Sequence, residues 1–506
     1  MAAVSPNVTN LKPAASPAQG EAVNVWGLVG AIVALCAVLA LPTPHGLPYA
    51  GQVMLGLLLF SVILWMTEAV DYAISAVLVT ALMAFLLGLA PNAAKPDTVL
   101  GTSAALTLAL GGFANTSFAL VAAATFLSAG MTITGLDKRI ALFILSKVGA
   151  KTHRVVIGAI LVGIALSFLV PSTTARVACL VPIIMGIILA FGVDKHSRFA
   201  GLLMITTAQA ASIWNVGIKT AAAQNMVAIG FIEKMLKGTI TYPEWFIAAA
   251  PWAILMSIVL YFVMVSMMKP EMEEVAGGRE AIGRALAELG PMKAAEWRLL
   301  AISATLLCFW ATEQILHKFD TSTTTITAIA LMFLPGIGVM GWKQAQPRIP
   351  WGTVVLFGVG ISLGTALLQT KAASWLADII VQNLGLANAS AFTILALLSL
   401  FLIVVHLGFA SATALASAMI PIMIAVLQSV KTPGLNLIGM TMILQFVVSF
   451  GFILPVNAPQ NMVAYGTETF AARDFVRTGL VLTVAGYALV LLFGLTYWSW
   501  LGLLIK

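Results

Sequence analysis

The stretch VVIGAILVGIALSFLVPSTTARVACLVPIIMGIILAFG, residues 155–192, is apolar throughout except for PSTTAR in its middle. It fits two membrane-spanning helices joined by a surface turn, and it equally fits a re-entrant hairpin whose tip lies at membrane depth. A second stretch, residues 391–427, has the same form around the small, uncharged tip FASATA. A tip without charge is unusual for a solvated loop, so the re-entrant interpretation stays open beside the first.

The composition around these stretches is that of a membrane protein. Hydrophobic residues make up 60% of the 506 positions and charged residues only 9%, whereas a soluble domain has about 25% charged residues. Apolar segments of roughly 20 residues recur along the chain, long enough to cross a bilayer as helices. The sequence therefore predicts an all-α polytopic membrane protein, in contact with the lipid bilayer over most of its surface.

The net charge of +7 is explained by basic loops that face the cytoplasm, so we predict no nucleic-acid partner. We place the chain in the plasma (inner) membrane with a cytoplasmic N-terminus. Residues 1–22 are predicted to be a disordered tail and residues 23–50 to hold the first transmembrane helix. Cys36, Cys179 and Cys308 lie in apolar segments without metal-ligand spacing, which indicates ordinary helix residues.

Three short motifs recur in the same order roughly 240 positions apart. LWMTEA (64–69) returns as FWATEQ (309–314), and PSTTARVACLVPI (171–183) returns as FASATALASAMIPI (409–422). The pentapeptide QNMVA occurs at 224–228 and again at 460–464. Ordered matches of this kind indicate an internal repeat.

We therefore divide the chain into two repeats. Repeat 1 covers 51–268 with the hairpin 155–192, and repeat 2 covers 299–506 with the hairpin 391–427. The polar, basic stretch 269–298 is the predicted cytoplasmic connector between them. An odd number of spans before it would insert the second repeat upside down, which is the signature of secondary transporters whose binding site lies between inverted repeats.

The hairpin tips carry the chemistry expected of an anion site. Ser172, Thr173 and Thr174 stand where the second half-helix of the first hairpin begins, and Ser411 and Thr413 stand at the matching point of the second. Serine and threonine cap helix N-termini, whose free N–H groups and dipole attract anions. Two facing tips suit a ligand with two carboxylates.

The two QNMVA segments add predicted helix breaks. Pro459 interrupts NAPQN (457–461), and Gly217 opens the small-residue segment of the first copy. Broken helices expose carbonyl groups that coordinate cations such as Na⁺. Asn225 and Asn461 either brace these breaks or touch the ligand, and the sequence does not decide between the two roles.

Several ionisable residues lie in apolar surroundings, where a charge is usually functional. Lys219 lies inside the first broken segment, where a fixed ammonium could replace a bound Na⁺. Arg176 follows the first tip, and its charge does not indicate a function if that tip is solvated. His406 is better explained as a hydrogen-bonded structural residue than as a proton carrier. Glu68 and Glu313 occupy matched positions and are expected to have structural partners near helix ends.

These residues resemble the divalent anion/sodium symporters, the family of dicarboxylate and citrate transporters, over most of the chain from about residue 50. The resemblance is strong because several segments match in order. They are LWMTEA (64–69), the block 108–149 ending near TGLDKRIA, ELGPMKAAEWR (288–298), IPWGTVVLFGVGISLGTAL (349–367) and FILPVNAPQNMVAYG (452–466).

The resemblance implies a fold of about eleven transmembrane helices plus two re-entrant helical hairpins in two inverted-topology repeats. It also implies a homodimer in which one part of each subunit moves like an elevator. The family's Ser-Asn-Thr tips bind substrate and help to bind Na⁺. Here the corresponding positions are Ser172, Thr173, Thr174 and Ser411, Ala412, Thr413, so both asparagines are absent.

Other departures fall on the cation sites. The family's T-G-T-x-P-N segment becomes TAAAQN, which keeps Thr220 and Asn225, with Lys219 just before it. Lys219, Thr220, Asn457 and Arg176 are therefore the candidates for ion coupling or for replacing the ion. These departures put Na⁺ in doubt. TAR after the first tip and FASATA at the second resemble the branch of the family that exchanges one carboxylate for another.

The sequence predicts a secondary transporter of organic di- or tricarboxylates that works by exchange or by cation symport, with no cofactor except a possible Na⁺. A sodium-coupled symporter for another divalent anion such as sulfate, and an anion channel, are the alternatives. A membrane enzyme is disfavoured because five histidines without close spacing and no paired intramembrane aspartates offer no catalytic cluster.

Overall fold

The structure is a computed structural model that describes residues 24–92, 95–149, 151–190, 192–271 and 278–506. The predicted disordered tail, 1–22, lies outside the described residues. Short β-strands β1 (Pro91–Asn92) and β2 (Lys95–Val99) form one antiparallel ribbon. The α-helices are, in chain order, α1 Val25–Ala40, α2 Tyr49–Thr67, α3 Tyr72–Leu82, α4 Thr102–Leu110, α5 Thr116–Thr134, α6 Leu136–Val148, α7 Thr152–Leu169, α8 Thr173–Ala190, α9 Arg198–Gly217, α10 Ala223–Phe231, α11 Tyr242–Met267, α12 Gly278–Glu288, α13 Ala294–Ala311, α14 Thr321–Phe333, α15 Trp342–Ala345, α16 Trp351–Gln369, α17 Ala372–Asn383, α18 Ala391–His406, α19 Ala412–Ser429, α20 Leu437–Val448, α21 Pro459–Tyr465, α22 Ala472–Leu495 and α23 Tyr497–Trp500.

The all-α prediction is confirmed, and the helices have the surface of a membrane protein. Within the described residues, nine helices are long and apolar enough to cross a membrane. The outward face of α11, for example, carries Ile254 and Phe262, which are exposed although they are large and apolar. Such a face is stable in lipid and unstable in water. The predicted number of eleven spans stays a prediction.

Helix α9 lies at the centre of the molecule. All of its residues from Phe199 to Gly217 are buried, and α7, α8, α11 and α21 pack around it. A helix that is enclosed on every side can carry polar side chains such as Gln209 and Asn215 only if other protein groups bind them. The centre of the fold is therefore the place to look for a polar site.

The helices follow one another in the same order twice. A pair (α2 and α3, then α13 and α14) is followed by a long helix (α5, then α16) and a shorter one (α6, then α17). A hairpin (α7–α8, then α18–α19), a broken helix (α9–α10, then α20–α21) and a long closing helix (α11, then α22) complete each series. The element order thus agrees with the repeats inferred from the motifs.

The two repeats are interlocked through their hairpins. Helix α10 of the first repeat packs against α19 of the second, and α21 of the second packs against α8 of the first. Each broken helix therefore contacts the hairpin of the other repeat. This reciprocal packing places both tips and both breaks in one central region.

Both hairpin tips have the capped start that the sequence predicted. The Ser172 hydroxyl accepts a hydrogen bond from the Ala175 amide, and the Ser411 hydroxyl accepts one from the Ala414 amide, each at 3.3 Å. Val170 and Phe409, which precede the two caps by two residues, are buried. The tips thus lie inside the protein, as a re-entrant hairpin requires, although their depth in a membrane stays a prediction.

Both predicted helix breaks are present. Helix α9 ends at Gly217 and α10 begins at Ala223, while α20 ends at Val448 and α21 begins at Pro459. Proline is favoured at the first position of a helix, because its missing N–H has no intrahelical partner there. The break therefore ends where Pro459 starts the new helix.

The connector region contains more helix than its polar composition indicated. Within the predicted connector 269–298, α12 packs against α6 and α8, and α13 already begins at Ala294. The Glu296 carboxylate explains the early start, since it accepts from the Lys293 amide at 2.7 Å and so caps the helix. Glu296 also pairs with Arg139 of α6 at 2.8 Å, which ties the connector to the first repeat.

Candidate functional site

A cavity of about 1620 Å³ leads from the connector to the first hairpin tip. Its inner end is formed by Ser172 and Thr174, and its outer end by Arg284 and Glu288 of α12 together with Arg348. Three basic residues, Lys138, Arg284 and Arg348, line it against two acidic ones, Asp137 and Glu288. The lining therefore has a small excess of positive charge, which favours the entry of anions.

One wall of the cavity carries hydroxyl groups that sequence reasoning missed. Thr125, Ser128 and Thr132 of α5 all line it. Their spacing places them on one face of a helix. That spacing, inside the block that resembles the known family, is the signal that could have identified them.

Asp137 is a buried acid in the cavity wall, at the start of α6 and outside the candidate membrane spans. Burial raises the pKa of its carboxyl group, although hydrogen bonds from the Lys138 amide and the Cys179 thiol act in the opposite direction. The Cys179 contact joins α6 to the hairpin helix α8. Asp137 thus lines the cavity that leads to the first tip but does not belong to the tip itself.

Arg176 is the most deeply buried charge at the site, with 0% of its surface exposed. No carboxylate accepts from it within the described residues. Its terminal nitrogens donate instead to five oxygen atoms of the first repeat: the carbonyls of Val170 (2.9 Å), Ala221 (3.0 Å) and Ala211 (3.3 Å), the side-chain oxygen of Asn215 (2.6 Å) and the Thr173 hydroxyl (3.4 Å).

These contacts make Arg176 the link between three elements. Val170 belongs to the hairpin tip, Ala221 to the break and Asn215 to α9. The Thr173 hydroxyl also donates to Asn215 at 2.7 Å, so Thr173 holds the tip in place. Ser172 and Thr174, in contrast, line the cavity and remain available to a ligand.

Asn457 makes the matching link in the second repeat. Its amide nitrogen donates to the carbonyls of His406 (2.9 Å) and Phe409 (3.1 Å) in the second hairpin. Phe409 precedes Ser411 by two residues, as Val170 precedes Ser172. The same tip carbonyl is therefore bound by Arg176 in one repeat and by Asn457 in the other, and Leu415 stands in register with Arg176.

The second tip is less accessible than the first. Ser411 and Thr413 are buried, with 8% and 7% of their surfaces exposed, while Ala412, Ser172 and Thr174 are half-buried. The cavity is lined by the first tip and by no described residue of the second. The structure thus brings the two tips into one central region, and the cavity described above reaches the first of them.

Asn225 and Asn461 brace the two breaks in the same way. The Asn225 amide nitrogen donates to the carbonyls of Asn215 (2.7 Å) and Ile218 (3.1 Å), and that of Asn461 donates to Gly451 (2.8 Å). The bracing role left open by the sequence is therefore present. The side-chain oxygen of Asn461 is buried without a partner in the described part of the chain, so contact with a ligand stays open for that atom.

The glutamines of the repeated QNMVA segments join the repeats. Gln224 donates to the Ser449 hydroxyl of the second repeat at 3.3 Å, and Gln460 donates to the Ser212 hydroxyl of the first at 3.1 Å. In each copy the asparagine holds its own break, while Gln460 binds α9 before the first break and Gln224 binds the first residue after α20, where the second break begins. These reciprocal bonds give a physical reason for the repetition of the pentapeptide. No local pattern in the sequence indicated this role of the glutamines.

Lys219 has a carboxylate partner, unlike Arg176. Its ammonium group donates to the Ile240 carbonyl at 2.7 Å and to the Thr321 hydroxyl at 3.1 Å, and it lies 3.8 Å from Glu313. Its neighbour Thr220 is buried. Glu313 is the residue for which the sequence predicted a structural partner near a helix end, and Lys219 is that partner.

Comparison with known proteins gives one matching family. The model of the sodium:sulfate symporter transmembrane region matches residues 22–504. A membrane protein of Cupriavidus necator is 58% identical over 94% of this chain and 93% of its own length. The sodium-dependent dicarboxylate transporter SdcS of Staphylococcus saprophyticus is 25% identical over 94% of this chain and 92% of its own.

Two further proteins extend the comparison. The citrate/succinate antiporter of Escherichia coli is 25% identical over 93% of this chain and 97% of its own length. Among solved structures, the YdaH transporter of Alcanivorax borkumensis has a TM-score of 0.54 at 15% identity, over 86% of this chain and 98% of its own. That likeness concerns the fold alone.

Proposed function

This chain belongs to the sodium:sulfate symporter family, and we propose that it exchanges organic di- or tricarboxylate anions across the plasma (inner) membrane. The family resemblance inferred from the motifs is confirmed. The chain is accordingly a multi-pass membrane transporter and not an enzyme. Its substrate, its coupling and its mechanism are the subject of the proposal.

The observation that carries the proposal is the environment of Arg176. A guanidinium group is always charged, and burying a charge is expensive unless dipoles or counter-charges surround it. Five oxygen atoms stabilise Arg176, but no carboxylate neutralises it among the described residues. An unmatched positive charge therefore lies directly behind the tip, where Ser172 and Thr174 face the cavity. A substrate carboxylate is the natural counter-charge.

The same environment argues against a Na⁺ ion at the first break. Na⁺ in such transporters is bound by backbone carbonyls and side-chain oxygens at broken helices. Here the Ala221 carbonyl and the Asn215 side-chain oxygen already accept from Arg176, and its charge would repel a cation. Arg176 thus serves as a resident cation, a role the sequence had favoured for Lys219. One of the relatives above is named as an antiporter and another as a sodium-dependent transporter. We propose that this chain works by exchange, as the antiporter does.

The proposed mechanism is alternating access of the elevator type. The anion enters through the cavity and docks one carboxylate on Ser172 and Thr174, at the N-terminus of α8, whose dipole favours negative charge. The second tip, with Ser411 and Thr413, takes the other carboxylate. Asn225, Asn461 and the backbone at Ala412 flank the site.

The contacts also support a common movement of each hairpin with the broken helix of its own repeat. Arg176 fastens the first tip to its break, and Asn457 fastens the second tip to its own. Each hairpin and broken helix can then move as one body with the substrate, which the elevator mechanism needs. We propose that this happens in each subunit of a homodimer, with Thr220 inside the moving part. A sulfate symporter and an anion channel remain the alternatives.

The docking step is tested with Thr174→Val. Removing a hydroxyl that binds a carboxylate loses roughly 1.5–3 kcal/mol, so the KM for succinate exchange in liposomes should rise at least tenfold, since about 1.4 kcal/mol is a factor of ten. Thr80→Val is the matched control, because Thr80 is also half-buried but bonds only its own helix at Ala76. An unchanged KM for Thr174→Val would contradict the docking site.

A further inference from the structure

Glu313 and Lys219 form a buried ion pair between the two repeats. The closest nitrogen–oxygen distance is 3.8 Å, and each side chain has only 6% of its surface exposed. Lys219 lies in the break between α9 and α10, while Glu313 follows α13 of the second repeat. A buried pair of this kind is weak support for stability, because desolvation offsets most of the attraction. Its presence therefore calls for another explanation.

The carboxylate of Glu313 is bound by two backbone amides and one hydroxyl group. It accepts hydrogen bonds from the Tyr242 amide (2.8 Å), the Thr321 amide (3.0 Å) and the Thr321 hydroxyl (2.8 Å). Both amides belong to the first residue of a helix, α11 and α14, where the helix dipole favours negative charge. None of these three donors belongs to Lys219, so the Glu313 carboxylate keeps them with or without the ion pair.

The pair lies directly behind the first site. The backbone carbonyl of Lys219 accepts from Asn225 at 3.3 Å, and the Ala221 carbonyl, two residues further, binds Arg176. Three other acids, Glu233, Glu244 and Asp320, also act on Lys219 through their charge. Each of those is engaged elsewhere, with Ser117 and Thr116, with Thr241 and with Thr323 respectively. Within the described residues, Glu313 is the carboxylate at ion-pair distance.

We propose that Glu313 determines substrate specificity by cancelling the charge of Lys219, so that Arg176 alone of these two buried cations is left for the substrate to balance. The site's positive potential then matches anions of a limited charge. This inference rests on the proposed function, because it concerns the anion that the same site binds. It assigns the second repeat a part in setting the charge selectivity of the first.

The test compares anions of different charge in the same protein. Succinate carries two carboxylates and citrate carries three, all ionised at about pH 8. The ratio of their apparent affinities, measured as competition against labelled succinate exchange, does not depend on how much protein is active. Lys219→Met leaves the Glu313 carboxylate uncompensated, which should disfavour citrate more than succinate.

The expected fall in the citrate-to-succinate affinity ratio is about sixfold. This change in the ratio corresponds to one unit charge acting on the anion over about 15 Å at an effective dielectric constant near 20. Combining Lys219→Met with Glu313→Gln removes both charges, so the ratio should return to the wild-type value even if the rate stays low. Glu313→Gln alone should not lower the ratio, because it removes a negative charge.

Two results would overturn the inference. One is an unchanged ratio in Lys219→Met while exchange of both acids falls by the same factor, as a purely structural pair would give. The other is a double variant that keeps the altered ratio of Lys219→Met. If Lys219→Met does not fold, Lys219→Gln repeats the comparison, since its amide can still donate to Ile240 and Thr321. Failure of the wild type to exchange either acid would instead defeat the proposed function.

Discussion

At the scale of single residues, two buried basic side chains determine where an unmatched positive charge lies. Arg176 and Lys219 both lie in the first repeat, and the sequence made both of them candidates for replacing a bound ion. The structure separates them, because Lys219 has Glu313 beside it while Arg176 has only uncharged oxygen acceptors within the described residues. Arg176 is therefore the residue whose charge is left for a substrate to balance.

The role of Arg176 predicts that lysine cannot replace it. A guanidinium group presents five donors in a rigid fork, whereas an ammonium group presents three on a flexible stem. Arg176→Lys should leave at least one buried carbonyl of the tip or break without a donor, and exchange should fall more than tenfold in liposomes. Arg477→Lys, at an exposed arginine at the start of α22, is the matched control and should keep the wild-type rate. Wild-type exchange by Arg176→Lys would refute the assignment.

The sequence predicted the local chemistry of residues better than their long-range partners. The capping roles of Ser172 and Ser411 follow from residue type and position, and both caps are present. The sequence favoured Lys219 as the resident cation because it lies inside the first broken segment, beside a predicted cation site. Its partner, Glu313, is brought to it only by the packing of the second repeat, which no local pattern can reveal.

At the scale of elements, the hairpins and broken helices were predictable because each has a sequence signal. Pro459 starts α21, and Gly217 is the last residue of α9. Helix α12 was not foreseen, since a polar, charged stretch between two apolar regions is more often a loop. Its apolar residues, such as Ile282, are buried against α6 and α8, and this tertiary packing stabilises a helix that composition alone does not indicate.

The packing of the closing helix against the second break predicts the effect of one methyl group. A Cβ atom on Gly479 of α22 would overlap the backbone carbonyl of Phe452, whereas one on Gly30 of α1 would meet no atom within 4 Å. Overpacking of this kind costs about 1–3 kcal/mol. Gly479→Ala should therefore melt several degrees below the wild type in detergent, while Gly30→Ala should not melt lower. Equal melting of both variants would show that α22 does not press on the break.

At the scale of the whole molecule, the order of the helices agrees with the internal repeat that the sequence predicted. The prediction was possible because the three ordered motif matches lie where the fold has a special backbone or a polar contact. The reciprocal contacts of Gln224 and Gln460 show why QNMVA had to be kept in both copies. The accessibility of the tips could not be foreseen, since it depends on which side of the centre is open in this state.

The asymmetry between the tips belongs to the same scale. The first tip faces a cavity while Ser411 and Thr413 of the second tip are buried, as expected for a carrier with one side open. In the proposed exchange, the loaded carrier passes to the opposite state, and the empty carrier does so only slowly. The unmatched charge of Arg176 gives the reason, because moving a buried, uncompensated cation is unfavourable until an anion neutralises it.

The most direct test is uptake of labelled succinate by liposomes that contain the purified protein. The liposomes are loaded with succinate, with citrate or with buffer alone, and each is measured with and without an inward Na⁺ gradient. We expect rapid uptake only into liposomes that contain an internal anion, at a rate that Na⁺ does not change. Uptake into buffer-loaded liposomes that is driven by the Na⁺ gradient would contradict this expectation, and would show that a cation binds despite Arg176.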